Sequence, residues 1–357
     1  MIYIHVPFCR SFCTYCDFYS EIACRGREAH DFEAYASGII SEISSRDAEI
    51  EASSGTNTLY LGGGTPSVLP LSVLERMLEA LGRGPYDEFT LEVNPEDVVE
   101  NGAVYLEGLR RLGVSRISMG VQSLDDGILR WMNRRHDADG ARKAFRALKD
   151  AGFDNVSVDV IFGLSQLTED VLGSTLDEIL SWRPEHVSAY QLSIEEGSAL
   201  ARMVEKGRYE EADEEQCSSQ YGLICRKLRE AGYVHYEISN WALPGCESRH
   251  NSAYWTREPY VGLGPGAHSF DGLRRSWNSQ SVGGWSSEYE ILTSEEAREE
   301  QIMLGLRTAK GAAEALCDSS AVEALVAEGA LIRIGDAHIR IPESSFFVSD
   351  SIIARLI

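Results

Sequence analysis

Between its start and about residue 240 the chain alternates short β-rich runs with longer amphipathic ones, and that alternation restricts the fold more than any other feature. The β-rich runs are Ile2–Val6, Thr58–Gly63, Phe89–Asn94, Arg116–Val121, Val156–Gly163 and His186–Leu192. Several are almost continuously apolar, as suits strands covered on both faces. The stretches between them repeat apolar residues at three- and four-residue spacing. In Ala138–Gly152, Ala141, Ala144, Phe145 and Leu148 share one face, Lys143, Arg146 and Lys149 lie off it, and Gly152 stops the run. A strand, a helix and a second strand make a right-handed crossover between parallel strands. Six such repeats predict an α/β chain with a partial (β/α)6 barrel, short of the eight repeats that close one.

Beyond this the texture changes. From about Gly232 to Ala267 the chain is dense in Tyr, Trp, His, Asn and Gly, too aromatic for a solvated linker and too irregular for one helix. That predicts a packed loop system of the kind that carries function. Residues 295–307 read as a helix, and from about 308 a helix near 321–328 precedes a hairpin with Gly335-Asp336 at its turn. The expected organisation is a barrel over 1–240, an aromatic and His-rich segment over 241–307 packed on it, and a small helix-plus-hairpin, winged-helix-like module over 308–357. Net charge is −23, from 33 Lys+Arg against 56 Asp+Glu. This opposes nucleic acid or anionic lipid as the main partner. No apolar run approaches the ~20 residues that span a bilayer. The opening MIYIHVPFC reads as a strand and not as a signal or transit segment. The expected compartment is the reducing cytoplasm, where eight cysteines point to metal more than to disulfides.

Three of those cysteines, Cys9, Cys13 and Cys16, stand directly after the first strand. Three thiolates satisfy three irons of a cubane cluster and leave the fourth iron without a protein ligand. A structural zinc site would call for a fourth Cys or His at short spacing, and Cys24, eight residues on, is the residue available. Phe8, Tyr15 and Phe18 would shield a cluster from water. Other polar and glycine residues gather at strand ends: Gly62-Gly63-Gly64-Thr65 after the second, Glu92 and Asn94 at the third, Gln122 after the fourth, and Asp159 within the fifth. The C-terminal ends of parallel strands form the active-site face, so these positions build one site. A glycine run lets backbone N–H groups approach a ligand closely, although alone it is equally a tight turn.

The CxxxCxxC loop, the GGGTP run and the ExNPE segment (Glu92–Glu96) resemble the radical S-adenosylmethionine superfamily. More closely, RISMGVQS, DVIFGL, HYEISNW, SRHNSAYW and GLGPGAHSF resemble the oxygen-independent coproporphyrinogen III oxidase family, in order from Tyr3 to about Arg307 and weakly beyond. The resemblance implies that Cys9, Cys13 and Cys16 bind a 4Fe–4S cluster whose open iron is chelated by the amino and carboxylate groups of S-adenosylmethionine. It places Tyr3, Gly63, Gly64, Thr65, Glu92, Gln122, Arg134 and Asp159 around that cosubstrate. Glycine backbone and Thr65 would meet its amino end, Glu92, Gln122 and Asp159 its ribose or ammonium, and Arg134 its carboxylate. Without the resemblance, Arg134 reads as a surface ion pair with Asp126 or Asp137.

Two departures separate the chain from the true oxidases. Their fourth Cys, two residues after the third, is Phe18 here, and their N-terminal extension has no counterpart before Cys9. Both match the family's haem-chaperone branch, marked by HNxxYW (His250, Asn251, Tyr254, Trp255). The resemblance then implies haem, with His250 as an axial ligand and Tyr236, Trp241, Tyr254, Trp255 and Phe270 as an aromatic face. His235, His268 and Cys246 are rival ligands, and a His in an aromatic segment is as readily a core residue. Cys217, Cys225 and Cys317 read as buried or half-buried thiols. A Pro common in the family after the FGL run is Ser165 here. The implied function is transfer of haem to a haem-accepting protein, such as a membrane respiratory enzyme reached by peripheral docking, with a homodimer allowed. The alternatives are a radical enzyme acting on coproporphyrinogen III in porphyrin biosynthesis and a zinc-stabilised barrel without redox activity.

Overall fold

The computed structural model describes residues 1–23, 27–53, 55–335 and 337–357; Cys24 and Asp336, singled out above, lie outside the described residues. Six parallel strands, β1 (Ile2–Val6), β2 (Thr58–Gly63), β3 (Glu88–Val93), β4 (Arg116–Gln122), β5 (Val156–Phe162) and β6 (His186–Gln191), stand side by side in chain order. They are the six repeats read from the sequence. A representative crossover helix, Ala138–Asp150, starts where Asp137 accepts the Gly140 N–H at 2.8 Å. Such a cap contributes about 1 kcal/mol. The helix buries Ala141, Ala144, Phe145 and Leu148, the face expected.

Both faces of these strands are buried, but only one is apolar. Leu59, Leu61, Leu91, Ile117, Met119, Val158 and Val187 point outward into the layer of helices. The alternate positions carry Thr58, Tyr60, Thr90, Glu92, Arg116, Ser118, Ser157, Asp159, His186 and Ser188. Their register makes polar rows across the barrel interior: Glu92 lies opposite Ser118, Ser118 opposite Ser157, and Ser157 opposite His186. Several of these groups satisfy one another, as when Ser157 Oγ meets His186 Nδ1 at 2.8 Å and Ser118 Oγ donates to Asp159 at 3.1 Å, whereas Thr90 Oγ1 and Arg116 Nε are buried without a partner.

The aromatic segment is more ordered than a loop system. Val261–Leu263 extends the sheet beside β1 in parallel, while Asn240–Ala242 and Val234–Glu237 extend it beyond β6 in antiparallel fashion. Arg249–Trp255 forms a helix between them in sequence. Strands of three or four residues and a seven-residue helix are too short to show a period, which hid them from the sequence. A separate three-stranded sheet follows, His268–Phe270, Arg274–Asn278 and Ser287–Ile291. Helix Ser294–Leu306, opened by a Thr293/Glu296 capping box, leads to helix Ser319–Ala327, and a last helix spans Ser349–Ile353. There the hairpin Ile332–Ile334 and His338–Arg340 pairs with Ala312–Ala313. No helix among the described residues is long and apolar enough to cross a membrane.

Candidate functional site

The thiol loop leaves β1 at Val6 and is tied down along its length. Phe8 is 2% exposed and packs edge-on against Phe32 at 4.9 Å and Tyr35 at 5.4 Å. It therefore anchors the loop to helix Glu28–Ser45 and does not line the site, which corrects its expected shielding role. Ala23 N–H donates to the Cys9 carbonyl at 2.9 Å, Thr14 N–H to the Met132 carbonyl at 3.0 Å, and Asn133 Nδ2 to the Phe12 carbonyl at 2.7 Å. So held, Cys9, Cys13 and Cys16 line one cavity of about 830 Å³ together with Tyr15. Burial raises the Cys9 thiol and pushes Cys16 up to about 12. A thiolate at Cys9 or Cys16 therefore needs compensating positive charge, which a bound metal supplies.

The glycine run is explained by this loop. A Cβ on Gly64 would stand 2.8 Å from the carbonyl oxygens of Val6 and Phe8. Gly63, at φ +104°, lies against the His5 ring, which a Cβ would meet at 2.3 Å. The N–H groups of Gly63, Gly64 and Thr65 donate to Glu92 Oε2, the Val6 carbonyl and the Phe8 carbonyl at 3.1, 2.8 and 2.7 Å. The expected cradle of free N–H groups is thus corrected: the glycines admit the thiol loop, and their donors are engaged within the protein.

Other strand-end residues converge on the same cavity. Thr65 Oγ1 accepts from Asn94 Nδ2 at 2.9 Å and lies 3.5 Å from Cys9 Sγ. Glu92 accepts from the Tyr60 hydroxyl at 2.7 Å, yet burial pushes its carboxyl up to about 7. Burial also raises Asp159, which the hydroxyls of Ser188, Ser118 and Ser157 partly offset. Gln122 takes a left-handed φ of +66°, a strain of about 1–3 kcal/mol for a non-glycine, and its Oε1 is buried without a partner. Arg134 is no surface ion pair. Its Nη1 stands 3.3 Å from Cys13 Sγ, its Nη2 donates to the Gly120 carbonyl at 2.7 Å and to Asn94 Oδ1, and its Nε is buried without a partner. Three thiols beside an unpaired buried donor and acceptor fit a metal cluster carrying a zwitterionic ligand.

Two expected site residues lie elsewhere. Tyr3 does not line the cavity: its hydroxyl meets His5 Nδ1 at 3.0 Å, and His5 Nε2 meets the Tyr19 carbonyl at 2.8 Å. The pair braces the loop from behind. His250 is 0% exposed, with Nδ1 2.8 Å from Thr58 Oγ1 and Nε2 3.1 Å from the Tyr254 hydroxyl. Thr58 opens β2, so this histidine plugs the floor of the barrel, at the end away from the thiols. The Glu88 carboxylate fixes the plug by accepting N–H groups of Arg249 and His250 at 2.9 and 3.0 Å. Burial drives His250 down to about 3, so the ring is neutral. Both nitrogens are thus engaged within the protein, and the structure places His250 at the floor, apart from the thiols. Of the rivals, His235 is stacked on Trp241 at 4.1 Å, and His268 is exposed.

Arg116, Ser118, Ser188 and Tyr190 also line the cavity and were not singled out from the sequence. Their signal was present as an every-second-residue pattern, Arg116-Ser118-Gly120-Gln122 and His186-Ser188-Tyr190, within otherwise apolar strands.

A parallel six-strand barrel with a thiol triplet at its C-terminal mouth defines a radical S-adenosylmethionine protein, and residues 3–179 match the family model described as the Radical SAM superfamily. Such a domain carries a 4Fe–4S cluster and S-adenosylmethionine. The fold is that of Escherichia coli coproporphyrinogen III oxidase (HemN), with a TM-score of 0.79 at 18% identity over 99% of this chain and 89% of that one. The chain is 32% identical to the heme chaperone HemW of Bacillus subtilis, over 87% of its own length and 83% of the relative's. With that of Synechocystis the identity is 34%, over 87% and 78%. The chain belongs to the HemW-type family of radical S-adenosylmethionine proteins.

Proposed function

We propose that the chain is a haem chaperone, which binds haem beside a 4Fe–4S cluster and S-adenosylmethionine and passes it to an acceptor such as a membrane respiratory enzyme. The observation that carries this reading is its likeness, over 87% of its length, to curated haem chaperones. Cys9, Cys13 and Cys16 hold the cluster. Gly63, Gly64, Thr65, Glu92, Gln122, Arg134 and Asp159 surround the cosubstrate, with Arg134 Nε and Gln122 Oε1 as the donor and acceptor free to meet it. When bound, the cluster supplies an electron and one iron open to that ligand. Tyr15 keeps water from the thiols, and Tyr3 acts through His5 to hold the loop.

The haem belongs at the mouth. Phe12, Phe18 and Tyr190, which are 51%, 66% and 42% exposed, rim the cavity and offer the apolar surface a flat macrocycle needs. His268, an exposed residue after the turn that sets Gly266 against Tyr19 of the thiol loop, is the better placed iron ligand. The compartment is the reducing cytoplasm, and size-exclusion chromatography with and without haem decides whether two chains pair.

The test is an anaerobic haem titration of the cluster-loaded protein. Saturation near one haem per chain, weakened by Phe18→Glu and His268→Ala and kept by folded His250→Ala, is expected. Absence of saturable binding overturns the reading. The same preparation, incubated with coproporphyrinogen III and a reductant, yields no decarboxylated product by mass; its appearance would favour the radical-enzyme alternative, which the retained cosubstrate cavity supports.

A further inference from the structure

Away from the cavity, the described residues hold one further group of metal-ligating side chains. Cys225 on helix Glu214–Glu230, His235 on strand Val234–Glu237 and Glu343 at the start of the short helical turn Glu343–Val348 bring a sulfur, a ring nitrogen and a carboxylate oxygen within 4.8 Å of one another. The first two belong to the end of the barrel sheet and its covering helix; the third belongs to the terminal module.

The surroundings fix the orientation of these groups. Cys225 is 7% exposed and the His235 side chain 6%. The His235 ring lies nearly parallel to Trp241, at 4.1 Å and 16°, and Phe346 closes it edge-on at 5.1 Å. Its Nε2 faces the Ile238 carbonyl at 3.4 Å, and its Nδ1 faces Glu343 Oε1 at 3.0 Å. A neutral imidazole that donates from Nε2 carries a lone pair on Nδ1. Nδ1 and the carboxylate oxygen stand this close with a shared positive charge between them, which the ring's other neutral tautomer supplies as an ordinary Nδ1–H donor. A proton is one such charge and a metal ion the other. The second Glu343 oxygen pairs with Arg229, the kind of outer hydrogen bond that orients a ligating carboxylate.

We propose that Cys225, His235 and Glu343 form a Zn²⁺ site, completed by water, that fastens the terminal module to the barrel. Thiolate, imidazole and carboxylate are the donors zinc takes in tetrahedral sites. The thiolate and carboxylate together neutralise the ion, as a buried site demands. Binding forms Zn–S, Zn–N and Zn–O bonds, breaks the Cys225 S–H bond, and releases that proton, with any proton on Nδ1, to solvent.

The test uses the full chain with its cluster loaded, so that Cys9, Cys13 and Cys16 cannot take the probe. Zn²⁺ is titrated anaerobically against a chromophoric chelator, with elemental analysis and the thermal midpoint read alongside. Expected are one zinc per chain, a midpoint raised by zinc, and affinity lowered about tenfold or more by Cys225→Ser and by Glu343→Gln. Glu343→Gln keeps the side chain's shape and an acceptor oxygen, and its melt without zinc, read beside the parent's, separates metal binding from folding. No zinc bound, or affinity unchanged in either variant, overturns the proposal and leaves a thiol beside a hydrogen-bonded His235–Glu343 pair.

Discussion

The mouth and the floor of the barrel both bury polar side chains, to opposite ends. At the mouth, three half-buried thiols stand beside Gln122 and Arg134, and each of those two has a buried polar atom that no protein group satisfies. At the floor, Glu88 and His250 are fully engaged, the carboxylate with two backbone N–H groups and the ring with two hydroxyls. The lesson is that a buried polar residue always needs partners, and its identity alone does not say whether they are protein or ligand.

The sharpest way to break this comparison is to remove a thiol. Serine at Cys9, Cys13 or Cys16 should abolish iron content and visible absorbance, while moving the urea midpoint of the iron-free chain little. Full cluster occupancy in any of the three would end the mouth assignment. His250→Ala should do the reverse. Losing the ring strands the Thr58 and Tyr254 hydroxyls around a cavity, for a cost of about 3–4 kcal/mol in urea unfolding, with cluster content of the folded protein unchanged.

The two ends should also answer pH in opposite directions. His250 is lowered by burial to about 3 from 6.5, so between those values the unfolded chain binds more protons and stability falls as pH falls. Glu92 is raised by burial from 4.5 to about 7, so in that window the native state binds more protons and stability falls as pH rises. The Glu92 contribution is roughly 3 kcal/mol at most. Urea midpoints from pH 4 to 8 should show Glu92→Gln flattening the alkaline side and leaving the acid side alone. The smallest effect is expected of Arg134→Lys, which loses the planar fork between Gly120, Asn94 and Cys13. S-adenosylmethionine affinity, measured by equilibrium dialysis, should drop about tenfold, or ~1.4 kcal/mol.

Much of the fold was legible because its repeating units are long. Ile2–Val6 and Thr58–Gly63 fall where the apolar runs place them, and the other four strands and the helices read from spacing end within a residue or two. The elements on either side of His250 were not legible, because three residues of strand carry no period and pair only through contacts distant in sequence. The cysteines announced themselves by spacing. Arg116 did not: one arginine opening an apolar strand looks like a strand end, and only the barrel's curvature turns it inward toward Glu92 and Asp159.

The bonds that pin the thiol loop to Met132, Asn133 and its own return strand are made by backbone and amide groups, none of them by sulfur. The path of the loop backbone is thus held by the polypeptide itself, whatever the sulfurs bind. A sulfur can then be exchanged for oxygen in this loop at the cost of its metal and not of its backbone path.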